Sequence, residues 1–105
     1  MQDDYHNQKP PEFVDQVLLN ASQRGASDIY WLPNSNSIDV RFRIGGIQEN
    51  YVELPVEYGT QCITRLKVLS ELLTYKSRIA QDGSIRNHPS LPGVEMRVSI
   101  MPNSR

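Results

Sequence analysis

The sequence predicts an α+β domain, a small mixed α/β sandwich whose mainly antiparallel sheet has two main helices packed on it. Three observations point there. Residues 38–44, Ile-Asp-Val-Arg-Phe-Arg-Ile, alternate apolar and polar without a break, which is the period of a half-buried strand. Gly45-Gly46 follows at once and supplies the two left-handed positions of a tight hairpin turn. Two other stretches, 13–21 and 62–73, space their apolar residues for helices instead.

Pro10-Pro11 opens the first helix, because proline fixes a helix-compatible dihedral and its missing N–H costs nothing in the first turn. Phe13, Val14, Val17, Leu18 and Ala21 form its apolar stripe, and Gly25 ends it as a left-handed cap. Residues 28–33, Asp-Ile-Tyr-Trp-Leu-Pro, are short, aromatic and branched, so they read as a strand closed by proline, with a turn by composition at 34–37. After the alternating strand at 38–44, the hairpin partner runs from 47 to about 54. A two-residue turn pairs Ile44 with Ile47, Arg43 with Gln48, Arg41 with Asn50 and Val40 with Tyr51. Both arginines then lack a carboxylate directly across the strand. The same register puts Glu49 and Glu53 on the apolar face, a conflict that a bulge in the second strand relieves.

Pro55 leads into a second helix at about 57–75, with Cys62, Leu66, Leu69, Leu72 and Leu73 as its stripe and Arg65 and Lys67 off it. Residues 76–93 hold Gly83, Pro89, Pro92 and Gly93 and read as a loop that includes a short strand near 84–87. Val94, Met96, Val98 and Ile100 alternate with Glu95, Arg97 and Ser99 in a last strand.

At 105 residues the chain is one domain, and its 38% apolar content is below the about 45–50% of ordinary globular domains. That lean core suggests a surface completed by a partner. Residues 1–9 are polar and lack periodicity, so they read as a flexible tail ahead of a single domain at 10–102. One cysteine, Cys62, excludes a disulfide framework and any multi-cysteine zinc site. No run of about 18 apolar residues exists, and Met1-Gln2-Asp3-Asp4 is acidic where a secretory signal would be basic.

The net charge of −1 hides an asymmetry: residues 1–60 hold nine acids and four bases, residues 61–105 seven bases and three acids. Eight of the eleven bases are arginine, whose planar fork matches phosphate and carboxylate oxygens. Arg41 and Arg43 share a strand face, Arg65 lies on the second helix, Arg78 and Arg86 flank Gln81-Asp82-Gly83, and Arg97 lies on the last strand. Arginines on several elements can converge on one anion, as where an arginine is lent to a neighbour's phosphoryl-transfer site. Near-neutral charge and the lack of an interleaved aromatic stripe argue against nucleic acid as the partner.

No enzyme constellation emerges. There is no Gly-x-Ser-x-Gly elbow, no Gly-x-x-x-x-Gly-Lys-Ser/Thr loop and no Gly-x-Gly-x-x-Gly fingerprint, so the chain alone is not expected to bind or hydrolyse a nucleotide. Cys62 reads as a small buried hydrophobe, His88 as a surface loop histidine, and Tyr30 and Trp31 as core or interface residues.

Five blocks in order carry a resemblance: Gly25-Ala26-Ser27-Asp28-Ile29 ending in Pro33; Val40-Arg41-Phe42-Arg43-Ile44 with Gly46; Ile63 to Leu69; Gln81-Asp82-Gly83-Ser84-Ile85; and Met96 to Pro102. They resemble the second N-terminal domain of the type II secretion and type IV pilus assembly ATPases. Three local departures stand out: Gly45 where the family usually has Asp, Tyr30-Trp31-Leu32-Pro33 in place of His-x-Glu-Pro, and Ser84 in place of an arginine, with Arg86 two residues on.

The resemblance implies a PAS-like domain joined to a RecA-like nucleotide-binding domain, so that residues 103–105 would begin a linker to a domain missing from this chain. It implies a homo-hexameric parent that uses ATP and Mg²⁺, cytoplasmic and peripheral at the inner membrane through a platform or adaptor protein. This chain alone is expected to bind neither cofactor. Matching positions make Arg41 and Arg43 the leading phosphate contacts, followed by Arg65, Arg78 and Arg97, towards the RecA-like domain of the same or a neighbouring subunit. Asp82 and Gly83 would shape the loop before the next strand. A second reading, a docking module that never touches nucleotide, rests on the lean core and an exposed aromatic segment near Trp31.

Overall fold

A computed structural model describes residues 7–72, 79–86, 88–91, 93 and 95–102. Its elements are α1 (Pro10–Gln23), β1 (Asp28–Pro33), β2 (Ser37–Ile44), β3 (Ile47–Pro55), α2 (Val56–Leu69), β4 (Gln81–Ile85) and β5 (Met96–Ile100). The strands form one sheet in the order β3-β2-β1-β5-β4, antiparallel throughout except for the central β1–β5 pair. The α+β class therefore stands, with both helices contributing to one core against one sheet face.

The α1 stripe is fully buried, and the helix ends as its sequence requires. Gly25 takes a φ of +73°, the Gly25 N–H reaches the Ser22 carbonyl at 3.1 Å and the Ala26 N–H reaches Ala21 at 2.9 Å, a Schellman cap. Ahead of the helix, Tyr58 Oη of α2 donates to the Gln8 carbonyl at 2.9 Å, and the Phe13 and Tyr58 rings meet edge to face with centroids 5.8 Å apart.

The hairpin follows the two-residue register as far as Arg41, which pairs with Asn50; then the register shifts and Val40 meets Val52 where Tyr51 was expected. Tyr51 is the extra residue. Tyr51 and Val52 are both buried, and the Tyr51 ring stacks on Phe42 with centroids 4.4 Å apart. The bulge returns Glu53 to the outer face, opposite Asp39. Glu49 keeps its place opposite Phe42 and is exposed, because that end of the hairpin runs past the core: Ile47, two residues earlier, is also exposed.

α2 is shorter than its periodicity suggests, ending at Leu69 where the sequence reads to about 75; residues 73–75, Leu73 included, lie outside the described residues. The cause is a second Schellman cap. Glu71 takes φ +59°, its N–H reaches the Val68 carbonyl at 3.2 Å, and the Leu72 N–H reaches Lys67 at 2.7 Å. The turn folds Leu72 back onto the core, where it packs against Gly83 of β4. β4 itself starts at Gln81, earlier than the expected 84–87, and Asn87 is outside the described residues. β5 begins at Met96, and Val94, assigned to this strand from sequence, is likewise outside them.

Candidate functional site

Strand alternation sorts the sheet into an inner face, which carries Ile29, Trp31, Val40, Phe42, Val98 and Ile100 into the core, and an outer face that no described helix covers. The pairing registers set the outer side chains in rows across the strands. Nearest the Gly45-Gly46 turn the row reads Ser84, Arg97, Asp28, Arg43, Gln48. The next reads Asp82, Ser99, Tyr30, Arg41, Asn50, and beyond it stand Leu32, Asp39 and Glu53. Charge is therefore graded along the strands: two arginines flank a single carboxylate at the turn end, and two carboxylates face each other at the far end.

The first row is a network centred on Asp28, which is 8% exposed. Arg97 holds it with two nitrogens, Nε 2.9 Å from Oδ1 and Nη2 3.1 Å from Oδ2. Ser27 Oγ donates to the same Oδ2 at 2.7 Å. On the other side Arg43 Nε stands 3.9 Å from Oδ2 and donates to Tyr30 Oη at 2.8 Å, while its Nη1 donates to the Gly46 carbonyl at 3.1 Å. Its guanidinium also lies over the Tyr30 ring, 5.5 Å from the centroid.

Arg41 is less occupied: its Nη2 is 3.9 Å from Asp39 Oδ2, and its buried Nε has no hydrogen-bond partner. Asp39 Oδ2 also accepts from Asn34 Nδ2 at 2.9 Å. A cavity of about 290 Å³ opens here, at the bulge, lined by Asp39, Arg41, Asn50, Tyr51, Val52 and Glu53.

Of the five arginines singled out from the sequence, the structure brings together Arg41, Arg43 and Arg97. Arg65 belongs to α2, on the helical side of the sheet, and its buried Nε has no hydrogen-bond partner. Arg78 lies outside the described residues. Asp82 and Gly83 are inside β4 and shape no loop before it. Asp82 Oδ1 accepts from Ser99 Oγ at 2.8 Å, and Gly83 leaves room for α2's exit turn, since a Cβ there would come within 3.0 Å of the Ser70 Cβ.

The view of Arg43 as lacking a carboxylate is corrected. Gln48 does stand across from it on β3, but Asp28 stands across on β1, a neighbour that hairpin arithmetic does not include. Asp28 and Tyr30 are the residues that sequence reasoning missed. Their signal was parity: both alternate with Ile29 and Trp31 and so share the outer face.

Two other residues are corrected. Trp31 is fully buried, so no exposed aromatic segment exists there. His88 is not a surface histidine: its side chain is 11% exposed, with Nε2 3.2 Å from Asp15 Oδ1 of α1 and Nδ1 accepting the Ser90 N–H at 3.0 Å. Cys62 is fully buried, and burial pushes its thiol up to about 12, which leaves no thiolate for nucleophilic chemistry near neutrality. Burial also lowers the Lys67 ammonium from its ordinary value. Among the described residues no group of three His, Cys, Asp or Glu side chains could hold a metal, and no helix is long and apolar enough to cross a membrane.

A family model described as a type II/IV secretion system protein matches residues 4–105. The type IV pilus assembly ATPase TfpB of Acinetobacter baylyi is 32% identical over 102 residues, 96% of this chain and 17% of that protein. The type IV pilus assembly ATPase PilB of Thermus thermophilus is 34% identical over 91 residues, covering 87% of this chain and 10% of that protein. The type II secretion system ATPase E of Vibrio cholerae is 29% identical over 93 residues, covering 89% and 18% respectively. The chain spans less than a fifth of the length of each of these relatives.

Proposed function

This chain belongs to the type II/IV secretion system protein family, and from that premise we propose that it is the N-terminal domain of a hexameric ATPase that powers type II secretion or type IV pilus assembly. Residues 10–102 are the domain, and 103–105 begin a linker to a RecA-like nucleotide-binding domain. The parent uses ATP and Mg²⁺ on that second domain, works in the cytoplasm at the inner membrane, and meets a platform or adaptor protein there.

In this reading the outer sheet face turns towards the RecA-like domain of the same or a neighbouring subunit, and its arginines reach the phosphates of ATP held there. The observation that carries it is the collection of Arg41, Arg43 and Arg97 on one face that no described helix covers. An arginine aimed at a transferring phosphoryl group stabilises charge that develops in the transition state, so it raises turnover more than it tightens binding. Relative movement of the two domains then couples hydrolysis to assembly work. Arg78 is a further donor in the same scheme, whereas Arg65, on the helical side of the sheet, lies away from the face turned to these phosphates.

Reversing Arg43 to Glu in the full-length parent, with ATP turnover by the assembled hexamer as readout, tests the reading. A fall of at least tenfold is expected, a lower bound set against the roughly 10³–10⁵ that a single arginine finger supplies in phosphoryl transfer. Wild-type turnover would sink it. The docking-module alternative loses one of its two motives with Trp31 buried in the core and keeps the lean core as the other.

A further inference from the structure

Two arginines stand on either side of Asp28, and they are held differently. Arg43 is fixed without it: Tyr30 Oη and the Gly46 carbonyl take two of its nitrogens at 2.8 and 3.1 Å, and Asp28 stands off at 3.9 Å. Arg97 has Asp28 as its charged partner among the described residues, in a two-nitrogen grip along the Nε–Nη2 edge. The burial of the pair is lopsided. The carboxylate side chain is 11% exposed and the arginine 68%.

A guanidinium carries five N–H donors in a rigid plane. The Asp28 carboxylate, its neighbour across β1 and β5, takes two of them along the Nε–Nη2 edge, and Nη1 has no hydrogen-bond partner among the described residues. The buried carboxylate makes this pair worth more to the β1–β5 join than a fully exposed one, but fastening strand to strand does not require the guanidinium to remain 68% exposed. A buried carboxylate that fixes one edge of an exposed guanidinium instead presents the other edge in a set direction, with little rotamer freedom left to lose when an anion arrives. Ser27 Oγ, donating to Oδ2 at 2.7 Å, in turn fixes the carboxylate.

We propose that Asp28 is the positioning residue for Arg97, holding its free edge towards a phosphoryl oxygen of the nucleotide on the adjoining domain. The proposal rests on the reading of this face as the phosphate-facing one. Asp28 itself never meets the nucleotide. It acts through Arg97 and leaves Arg43, independently anchored, in place.

The test is a double-mutant cycle in the full-length ATPase joined to a spectroscopic readout in this chain. Asp28→Asn and Arg97→Ala should each lower turnover at saturating ATP by roughly tenfold with KM changed less than about twofold, since an interaction made in the transition state is what is lost. The double variant should be no slower than Arg97→Ala alone. In this chain the ¹⁵N–¹H signal of Arg97 Nε should exchange slowly, and Asp28→Asn should abolish it while the Arg43 Nε signal stays.

If Arg97→Ala is slow but Asp28→Asn slows it further by the same factor, Asp28 acts independently of Arg97 and the proposal falls alone. If Arg97→Ala turns over at the wild-type rate, the phosphate reading of Arg97 fails and takes the proposal with it. Should Asp28→Asn fail to fold, the wild-type signal still decides: an Arg97 Nε–H exchanging as fast as that of free arginine overturns the grip on which the proposal depends.

Discussion

Gly59 of α2 lies directly against Ile38 of β2: a Cβ on Gly59 would come within 2.8 Å of the Ile38 Cδ1 and 2.9 Å of its Cβ. This contact sets how closely the helix approaches the sheet. Alanine is the better helix former by about 1 kcal/mol, so an exposed Gly→Ala change in a helix would stabilise. Here the opposing atom at 2.9 Å is a Cβ, fixed to the backbone, and it cannot rotate away. Gly59→Ala is therefore expected to destabilise the chain by about 1–3 kcal/mol in urea melts, as over-packing does. A gain in stability would mean that α2 slides freely on β2.

Glu71 is the mirror case, a side chain where glycine fits better. It holds φ +59° to close the cap of α2, in the left-handed region that costs a non-glycine residue about 1–2 kcal/mol. Glu71→Gly should raise stability by about 1 kcal/mol once glycine's greater freedom in the unfolded chain is set against that relief. Glu71→Ala should give no such gain. Thermal melts of the two variants distinguish relief of strain from a side-chain effect.

The bulge makes a third prediction. Tyr51 is the inserted residue, its ring stacked on Phe42, its hydroxyl accepting from Asn20 Nδ2 of α1 at 3.1 Å, with the Arg24 guanidinium 5.3 Å from its ring centroid. Tyr51→Phe should cost about 1 kcal/mol, one hydrogen bond's net contribution, and Tyr51→Ala about 3–5 kcal/mol, that of a large buried aromatic. Equal costs for the two would show that the hydroxyl, and not the ring, ties the bulge to α1.

Local signals carried most of this fold. The alternation at 38–44, Gly45-Gly46, Pro10-Pro11 and Gly25 each act through a neighbour's sterics or a fixed dihedral, and each element appears where those residues put it. Even the need for a bulge was legible, because Glu53 could not sit on the core face. The end of α2 was not legible, since Leu72 continues the helical stripe while a glutamate adopts the left-handed turn that glycine would have announced. His88 was misread for a related reason: nothing local marks Asp15, far away in the chain, as its partner. The candidate site was half legible. Arg41 and Arg43 share a face by parity alone, but their company depends on β1 lying between β2 and β5, and the parallel β1–β5 pair is a long-range choice that no turn specifies. Asp28, between two arginines from different strands, is visible only once that order is known.

Cys62 provides the pH prediction. Its folded thiol is raised from 9.0 to about 12 by burial, whereas the unfolded chain releases that proton near the ordinary thiol value. Between the two values the folded state binds the extra proton, so stability present below about pH 9 is lost as pH rises, by roughly 1 kcal/mol per pH unit for this group. Other groups titrate in the same range, so the comparison must be internal. Cys62→Ala leaves a small cavity and lowers stability at neutral pH, but it removes this one dependence. Urea melts of both proteins at pH 8, 9 and 10 should therefore show the gap between them narrowing as pH rises. A gap that stays constant would mean that the Cys62 thiol is ionised as readily in the folded chain as in the unfolded one, and that its burial leaves it as acidic as a thiol in water.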